Sequence, residues 1–239
     1  MVNPDRELWR LSAPAWILSQ GAKGDVSRQF LDPYVHGLLG DVQGLRVLDV
    51  GCGEGRFARV LTEKGADVVA IEPVRELLEH AAKLGGPSFG LALGDALPFV
   101  AETFDLVVMY LVLIDIEDYP KAISEAARVL RPGGRLMVVN LTGIATSSEK
   151  FWLRDKNKRK VARLVEFYGE PRRVIYHWSG IRISNYHRPL SHYFQAFLQA
   201  GLQLAWFDEP VPTMTENAAW AVDCRMAPMF NLMLCSKPG

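Results

Sequence analysis

Apolar runs and amphipathic stretches alternate along the middle of the chain. Short runs rich in valine, leucine and isoleucine predict strands over 45–50, 67–71, 88–93, 104–110 and 134–140. Between them, apolar residues spaced three and four apart predict helices over 54–64, 74–84 and 118–130. Strands that alternate with helices in this way are typical of an α/β fold with a doubly wound parallel sheet.

The two ends of the chain depart from this rhythm. Apolar residues at helical spacing predict two short helices within residues 5–40. Over 142–188 the pattern fits neither a strand nor a continuous amphipathic helix, which indicates an inserted cap. After the cap, a helix and two strands are predicted to complete the sheet, over 189–200, near 202–208 and over 229–236.

We interpret the 239 residues as a single domain, because this length suits one core and no internal repeat is present. The domain divides into four predicted parts. They are the N-terminal helices (1–43), a ligand-binding core (44–141), the inserted cap over a substrate (142–188) and the completion of the sheet (189–239).

A glycine-rich turn between the first predicted strand and its helix is the strongest local signal. Residues 49–55 read Asp-Val-Gly-Cys-Gly-Glu-Gly. Glycines let a ligand approach the backbone, and a helix N-terminus offers unpaired N–H groups to a carboxylate or phosphate. The third glycine comes one position earlier than in the G-x-G-x-x-G pattern of dinucleotide sites, so the spacing disfavours a pyrophosphate.

Two acids accompany this turn. Asp49 precedes the glycines and Glu72 ends the next predicted strand. Both positions lie where an open parallel sheet binds its ligand, and the pair suits an ammonium group and a ribose diol. The alternative is an ordinary turn with two solvated acids.

Several motifs in order resemble the class I S-adenosylmethionine-dependent methyltransferases, in their small-molecule branch. They lie at 49–55, 72, 94–99, 104–110 and 131–136. A weaker similarity to the C-terminal part of small-molecule members covers 187–191 and 197–202. The resemblance implies a Rossmann-like sheet of seven strands in the order 3-2-1-4-5-7-6, the last strand antiparallel, with S-adenosyl-L-methionine as cofactor.

The resemblance also implies the residues that hold the donor. Asp49 would shape the surroundings of the methionine ammonium, and the backbone of Gly51, Cys52 and Gly53 would hold the methionine portion. Glu72 would accept hydrogen bonds from both ribose hydroxyls.

The adenine is assigned by the same resemblance. Asp95 would accept from the adenine amino group, with the Ala96 N–H on the ring, although a simple turn role for Asp95 is the alternative. The remaining cofactor-binding residues implied by the motifs are Pro73, Leu97 and Tyr110.

Methyl transfer from a sulfonium needs positioning more than a strong catalytic group. His187 is the candidate general base, because histidine accepts a proton near neutral pH from a hydroxyl, a phenol or a carbon acid. A structural histidine that orients the turn before Pro189 is the alternative. Many small-molecule relatives have His-His where this chain has Ile114-Asp115, so Asp115 either replaces a base or caps the next helix.

The predicted cap is rich in aromatic and basic residues. The aromatic residues either cover the methyl group or anchor the insertion, and Trp9 and Trp16 leave the same two interpretations. The cap aromatics are Phe151, Trp152, Phe167, Tyr168, Tyr176, Trp178 and Tyr186. Basic residues over 150–173 either form a solvent-exposed face or attract an anionic acceptor.

Composition narrows the choice of partners. With 27 basic and 27 acidic residues, no net field draws the protein to nucleic acid or to a membrane. The longest apolar stretch, 106–114, is far shorter than the about 20 residues of a membrane-spanning helix. Charged residues near the N-terminus break a signal peptide, which predicts a cytoplasmic location. Three cysteines without ligand spacing indicate neither a disulfide framework nor a metal site.

The sequence therefore predicts a cytoplasmic, metal-independent methyltransferase that acts on a small molecule at oxygen or carbon. A nicotinamide-dependent oxidoreductase is the alternative enzyme, and the glycine spacing disfavours it. A cofactor-binding subunit that activates or scaffolds a partner is the alternative without catalysis.

Overall fold

The computed structural model describes residues 3–20, 25–212 and 218–239. Its main sheet has seven strands. They are β1 (Arg46–Val50), β2 (Asp67–Glu72), β3 (Ser88–Leu91), β4 (Phe104–Tyr110), β5 (Leu130–Leu141), β10 (Gln203–Asp208) and β11 (Phe230–Ser236). The strand order is β10-β11-β5-β4-β1-β2-β3.

Strands β1 to β5 run parallel, and β11 is antiparallel to both of its neighbours, β5 and β10. Since β10 and β11 are the sixth and seventh strands of this sheet, the implied order 3-2-1-4-5-7-6 is confirmed. The antiparallel last strand and the Rossmann-like α/β class are confirmed with it.

Helices cover both faces of the sheet. The longer ones are α1 (Pro4–Ser19), α2 (Val26–Leu39), α3 (Arg56–Glu63), α4 (Arg75–Leu84), α5 (Tyr119–Val129), α7 (Leu190–Gln199) and α8 (Ala218–Met226). Alternate residues of β4 enter two separate cores. Val107 packs in the core that contains α5 and α7, whereas Leu106 packs in the core that contains α2 and α3. Burial on both faces explains why the parallel strands are nearly all apolar.

Residues 142–188 are folded more regularly than the sequence pattern suggested. They contain a short helix, α6 (Gly143–Thr146), and two antiparallel hairpins. The hairpin strands are β6 (Trp152–Arg154) with β7 (Lys160–Arg163), and β8 (Arg172–Trp178) with β9 (Ile181–His187).

Helix α1 is fastened to the second of these hairpins. Asp5 accepts hydrogen bonds from the Ser184 and Tyr186 hydroxyls, both at 2.6 Å, and from the Arg173 guanidinium. Ser12 pairs with the backbone N–H and carbonyl of Arg182. We call α1 and the β8–β9 hairpin together the roof, because both line the cavity described below.

Candidate active site

A cavity of about 860 Å³ lies at the carboxyl ends of β1, β2 and β4. Open parallel sheets bind ligands at this edge, and the volume is typical of small-molecule sites. Among the predicted cofactor-binding residues, those that line the cavity are Asp49, Gly51, Cys52, Gly53, Glu72, Pro73, Asp95 and Tyr110.

The turn after β1 is shaped by its glycines. Gly51 and Gly53 have φ of +68° and +58°, in the left-handed region that favours glycine. A Cβ at Gly51 would overlap Val112, so packing requires glycine there. A Cβ at Gly53 would have the Trp16 indole nitrogen as its nearest contact, at 3.9 Å. The space beside Gly53 therefore belongs to the cavity.

Glu72 is buried and held by two backbone N–H groups. Its Oε2 accepts from Gly53 at 3.0 Å and its Oε1 from Val74 at 2.9 Å. A carboxylate offers about four acceptor positions, so one on each oxygen remains for two ligand hydroxyls. Burial raises the pKa of Glu72 to about 7. The arrangement fits a ribose diol.

Asp49 is a buried acid with an unused oxygen. Its Oδ2 has no hydrogen-bond partner among the described residues. Burial raises the pKa of Asp49 to about 7, against the opposing effect of Arg28 and Arg56. A buried oxygen without a partner is costly unless a ligand supplies a donor, so Asp49 suits an ammonium group.

Two arginines in the cavity wall were not predicted from the sequence. The Arg28 guanidinium lies 5.5 Å from the ring centres of both Trp16 and Tyr110. Arg56 donates to Asp32, which also accepts from the Tyr110 hydroxyl at 3.0 Å. Arg56 directly follows the glycine-rich turn, a signal that could have indicated it, whereas Arg28 belongs to α2 and no motif marks it.

Asp95 differs from Ala96 and Leu97 in its position relative to the cavity. Asp95 lines the cavity, as its predicted role requires. Ala96 uses its N–H for a turn to Leu93 O, at 3.3 Å, and Leu97 is buried with its N–H on Glu125. Ala96 and Leu97 do not line the cavity. Their contact with a cofactor stays a prediction, and it requires a change in these hydrogen bonds.

His187 lies outside the cavity lining and is fully buried. Its Nδ1 is 2.9 Å from the Thr146 hydroxyl, and its Nε2 is 3.0 Å from Tyr168 O. Burial lowers the pKa of His187. With both ring nitrogens engaged, the geometry favours the structural interpretation over the predicted general base.

We therefore expect His187→Gln to reduce stability rather than catalysis. Loss of buried hydrogen bonds costs about 1–3 kcal/mol, which lowers the melting temperature by several degrees. Thermal unfolding measures the loss, and Thr146→Val, which removes the Nδ1 partner of His187 together with two Thr146 bonds to backbone carbonyls, is expected to lower the melting temperature as well. An unchanged melting temperature with kcat lowered about 10²–10⁴-fold would restore the general base.

Further cavity lining comes from the roof and from the segment after β4. It includes Trp9, Trp16, Ile114, Asp115, Tyr119, Trp178, Ile183 and Asn185. Asp115 Oδ1 accepts from Asn185 Nδ2 at 2.6 Å. The cap of α5 is Asp118, which accepts from the Lys121 N–H at 3.1 Å. Asp115 therefore faces the cavity and does not cap the helix.

The aromatic residues of the insertion mostly anchor it. Of the seven, Trp178 lines the cavity. The rings of Phe151 and Tyr176 stack with their centres 5.7 Å apart, and Tyr168 packs edge to face against His187. Basic residues of 150–173 do not line the cavity either. Four of them surround a separate depression beside Asp223, namely Arg154, Lys158, Arg159 and Lys160.

Residues 3–20, 25–212 and 218–239 show neither a membrane-spanning helix nor a cluster of metal ligands. Within them, no helix combines the length and the apolar character that crossing a membrane requires. Nor does this part of the chain gather three or more histidine, cysteine, aspartate or glutamate side chains suited to a metal ion.

Residues 48–138 match the family model described as a methyltransferase domain. The chain is 36% identical over 106 residues to the demethylmenaquinone methyltransferase of Renibacterium salmoninarum, which is 44% of each chain. It is 30% identical over 142 residues to a ubiquinone/menaquinone biosynthesis C-methyltransferase of Vibrio vulnificus, covering 52% of this chain and 55% of that one. The chain thus spans about half the length of these curated relatives.

Solved structures extend the similarity to most of the chain. An S-adenosylmethionine-dependent methyltransferase from Mesorhizobium loti superposes with a TM-score of 0.79 at 25% identity, over 87% of this chain and 97% of that one. A second structure, from Listeria monocytogenes, has a TM-score of 0.77 at 22% identity and supports the fold. Residues 48–138 are thus a methyltransferase domain, and the chain has the fold of the S-adenosylmethionine-dependent methyltransferases.

Proposed function

We propose that the protein transfers the methyl group of S-adenosylmethionine to a small-molecule acceptor, at oxygen or carbon. One observation carries the proposal. A turn whose glycine at 53 opens into the cavity lies beside two buried acids, and one of these, Asp49, has an oxygen without a partner among the described residues. That arrangement fits the methionine and ribose portions of the donor.

The donor, when bound, supplies an electrophilic methyl group on a sulfonium. Glu72 binds the ribose hydroxyls and Asp49 the ammonium, as their hydrogen-bond capacity allows. Arg28 and Arg56 line the same cavity and suit the methionine carboxylate. Asp95 accepts from the adenine amino group in this proposal, which is supported by its position in the cavity lining. The roof excludes water from this site.

A small acceptor is supported by the site and by the relatives. The cavity extends under the roof, where aromatic side chains line it. Two relatives are named as methyltransferases of menaquinone or ubiquinone biosynthesis, one of them a C-methyltransferase. The balanced charge gives no attraction for nucleic acid. A cytoplasmic location is part of the proposal, and the three free cysteines are consistent with it.

Thermal unfolding with S-adenosylhomocysteine tests donor binding. A ligand at 100 times its Kd stabilises the native state by about 2.7 kcal/mol, so we expect a clear rise in melting temperature. NAD(H) at the same concentration is expected to give none. Protection by NAD(H) alone would favour the oxidoreductase and contradict the proposal.

A screen of acceptors with methyl-labelled donor separates catalysis from cofactor binding. We expect label to pass to at least one small aromatic acceptor. Donor binding with no transfer above the background rate, for every acceptor tested, would favour a cofactor-binding subunit instead.

The raised pKa values of Asp49 and Glu72, both about 7, predict a pH-dependent affinity. Ionised carboxylates bind the ammonium and the hydroxyls best, so we expect affinity for S-adenosylhomocysteine to rise between about pH 6 and pH 8. The native state without ligand binds more protons than the unfolded chain between pH 4 and pH 7. Its stability therefore falls as the pH rises through that window.

Calorimetry across this pH range measures the affinity. The variant that combines Asp49→Asn with Glu72→Gln is expected to bind weakly with little dependence on pH. A flat profile for the unchanged protein would contradict the ionisation argument.

A further inference from the structure

The segment after β4 places in the cavity a carboxyl group to which the donor assignment gives no role. Asp115 lines the cavity, and its Oδ1 accepts from Asn185 Nδ2 at 2.6 Å. The Trp9 side chain also interacts with this carboxyl group and lowers its pKa, against the larger effect of burial. Trp9 belongs to α1 and Asn185 to β9, so three separate elements meet at this group.

Asn185 is buried, and its side-chain amide orients the Asp115 carboxyl group. It is only 5% exposed, and its amide donates to Ser184 O as well as to Asp115. A carboxylate offers about four acceptor positions. Asn185 occupies a position on Oδ1, which leaves acceptor positions on Oδ2 for a ligand in the cavity.

Aromatic and apolar side chains line the same cavity as Asp115. Trp9, Trp178, Tyr119 and Ile183 line the cavity together with it. Trp9 is held edge to face against Trp16, with ring centres 5.3 Å apart. Indole and phenol rings at fixed positions favour a flat ligand that packs against their faces or edges.

The acidic side chains near Asp115 disfavour an anionic ligand at this position. The charged groups that act most strongly on it are Glu72 and Asp5, both acids. Together with burial they raise the pKa of Asp115 well above its ordinary value. Asp5 is paired with Arg173 at the roof, whereas the Asp115 partners are the neutral Asn185 and Trp9. An anionic acceptor would be repelled here, and a neutral hydrogen-bond donor is favoured.

We propose that Asp115, oriented by Asn185, is an acceptor-binding residue that takes a hydrogen bond from a hydroxyl group on an uncharged, flat aromatic acceptor. The inference rests on the proposed function, because the donor site occupies the rest of the same cavity. It defines the acceptor class by two features, an O–H group for Asp115 and a ring for Trp9 and Trp178.

The test uses the full chain saturated with S-adenosylhomocysteine, and two probes that differ only at the hydroxyl, 1-naphthol and 1-methoxynaphthalene. Calorimetry measures both affinities. A hydrogen bond contributes about 0.5–1.5 kcal/mol, so we expect the naphthol to bind about 2–12-fold more tightly than the ether.

Asp115→Asn is expected to remove most of this preference and to leave the affinity for S-adenosylhomocysteine unchanged. Asn185→Leu, which removes the orienting amide, is expected to reduce the preference in part. The matched control is Asp67→Asn, since Asp67 is an exposed acid of β2 outside the cavity lining, and it should keep the full preference.

Three results would overturn the inference in protein that still binds S-adenosylhomocysteine. They are equal affinities for the two probes, no binding of either probe, and a full preference in Asp115→Asn. Failure to bind S-adenosylhomocysteine at all refutes the proposed function instead, so the two failures are distinguishable.

Discussion

Gly53→Val is expected to abolish binding of S-adenosylhomocysteine in a protein that still folds. A Cβ at position 53 meets no protein atom closer than 3.9 Å, so the valine fits the protein and its γ-carbons enter the cavity. They would fill the space that the methionine portion of the donor needs. Calorimetry with S-adenosylhomocysteine measures the loss, and thermal unfolding shows that the protein is folded.

The variant also carries backbone strain, because Gly53 has a φ of +58°. A non-glycine residue in this conformation costs about 1–2 kcal/mol. Gly44→Val is the matched control, since Gly44 has a φ of +72°, no atom within 4 Å of an added Cβ, and a position outside the cavity lining. We expect a similar loss of stability with normal binding. Normal binding by folded Gly53→Val would refute the role of the turn.

Glu72→Ala is expected to weaken the affinity for S-adenosylhomocysteine by about 1.5–3 kcal/mol, or about 10–150-fold, the contribution of hydrogen bonds to a charged group. The substitution removes the acceptor for the ribose hydroxyls. It also frees the Gly53 N–H, which Glu72 holds at 3.0 Å, so the turn loses a support. Calorimetry at pH 8, where the carboxylate is ionised, measures the effect.

Glu79→Ala serves as its control, because Glu79 is an exposed acid on the neighbouring helix α4. That variant should bind S-adenosylhomocysteine with unchanged affinity. If Glu72→Ala behaved in the same way, Glu72 would not be the ribose acceptor.

The main sheet was predictable because its strands are buried on both faces and are nearly continuous apolar runs. Two boundaries moved for local reasons. Strand β3 ends at Leu91, before a turn closed by a bridge between Leu93 and Ala96. Strand β5 begins at Leu130, which pairs with Phe104 ahead of an irregularity in the register.

The hairpins of the insertion were missed, although the second one carries a signal. Val174 and Tyr176 alternate with more exposed residues, and Ser179 and Gly180 form its two-residue turn with φ of +45° and +79°. Both angles are positive, as a hairpin of this length favours. A serine-glycine pair is a weaker signal than asparagine-glycine, and the basic residues around it obscured the alternation.

The shared position of Asp49, Glu72 and Asp95 in one cavity was predictable, because all three lie near the carboxyl edge of the parallel sheet. The grouping of Trp9, Asp115 and Asn185 was not predictable, since these residues meet only through contacts between distant parts of the chain. The buried position of His187 was hard to predict because it also depends on contacts with a distant segment. Its partners, Thr146 and Tyr168, lie in the insertion, which the sequence pattern does not resolve into elements.

A crystal structure with S-adenosylhomocysteine tests the central claim most directly. We predict that the ribose hydroxyls donate to the two oxygens of Glu72. We also predict that the ammonium group lies within hydrogen-bond distance of Asp49 Oδ2, which lacks a partner among the described residues. The sulfur is predicted to lie on the side of the cavity lined by Trp9 and Asp115. A ligand bound elsewhere, or bound in this cavity without contact to Glu72 and Asp49, would contradict the account.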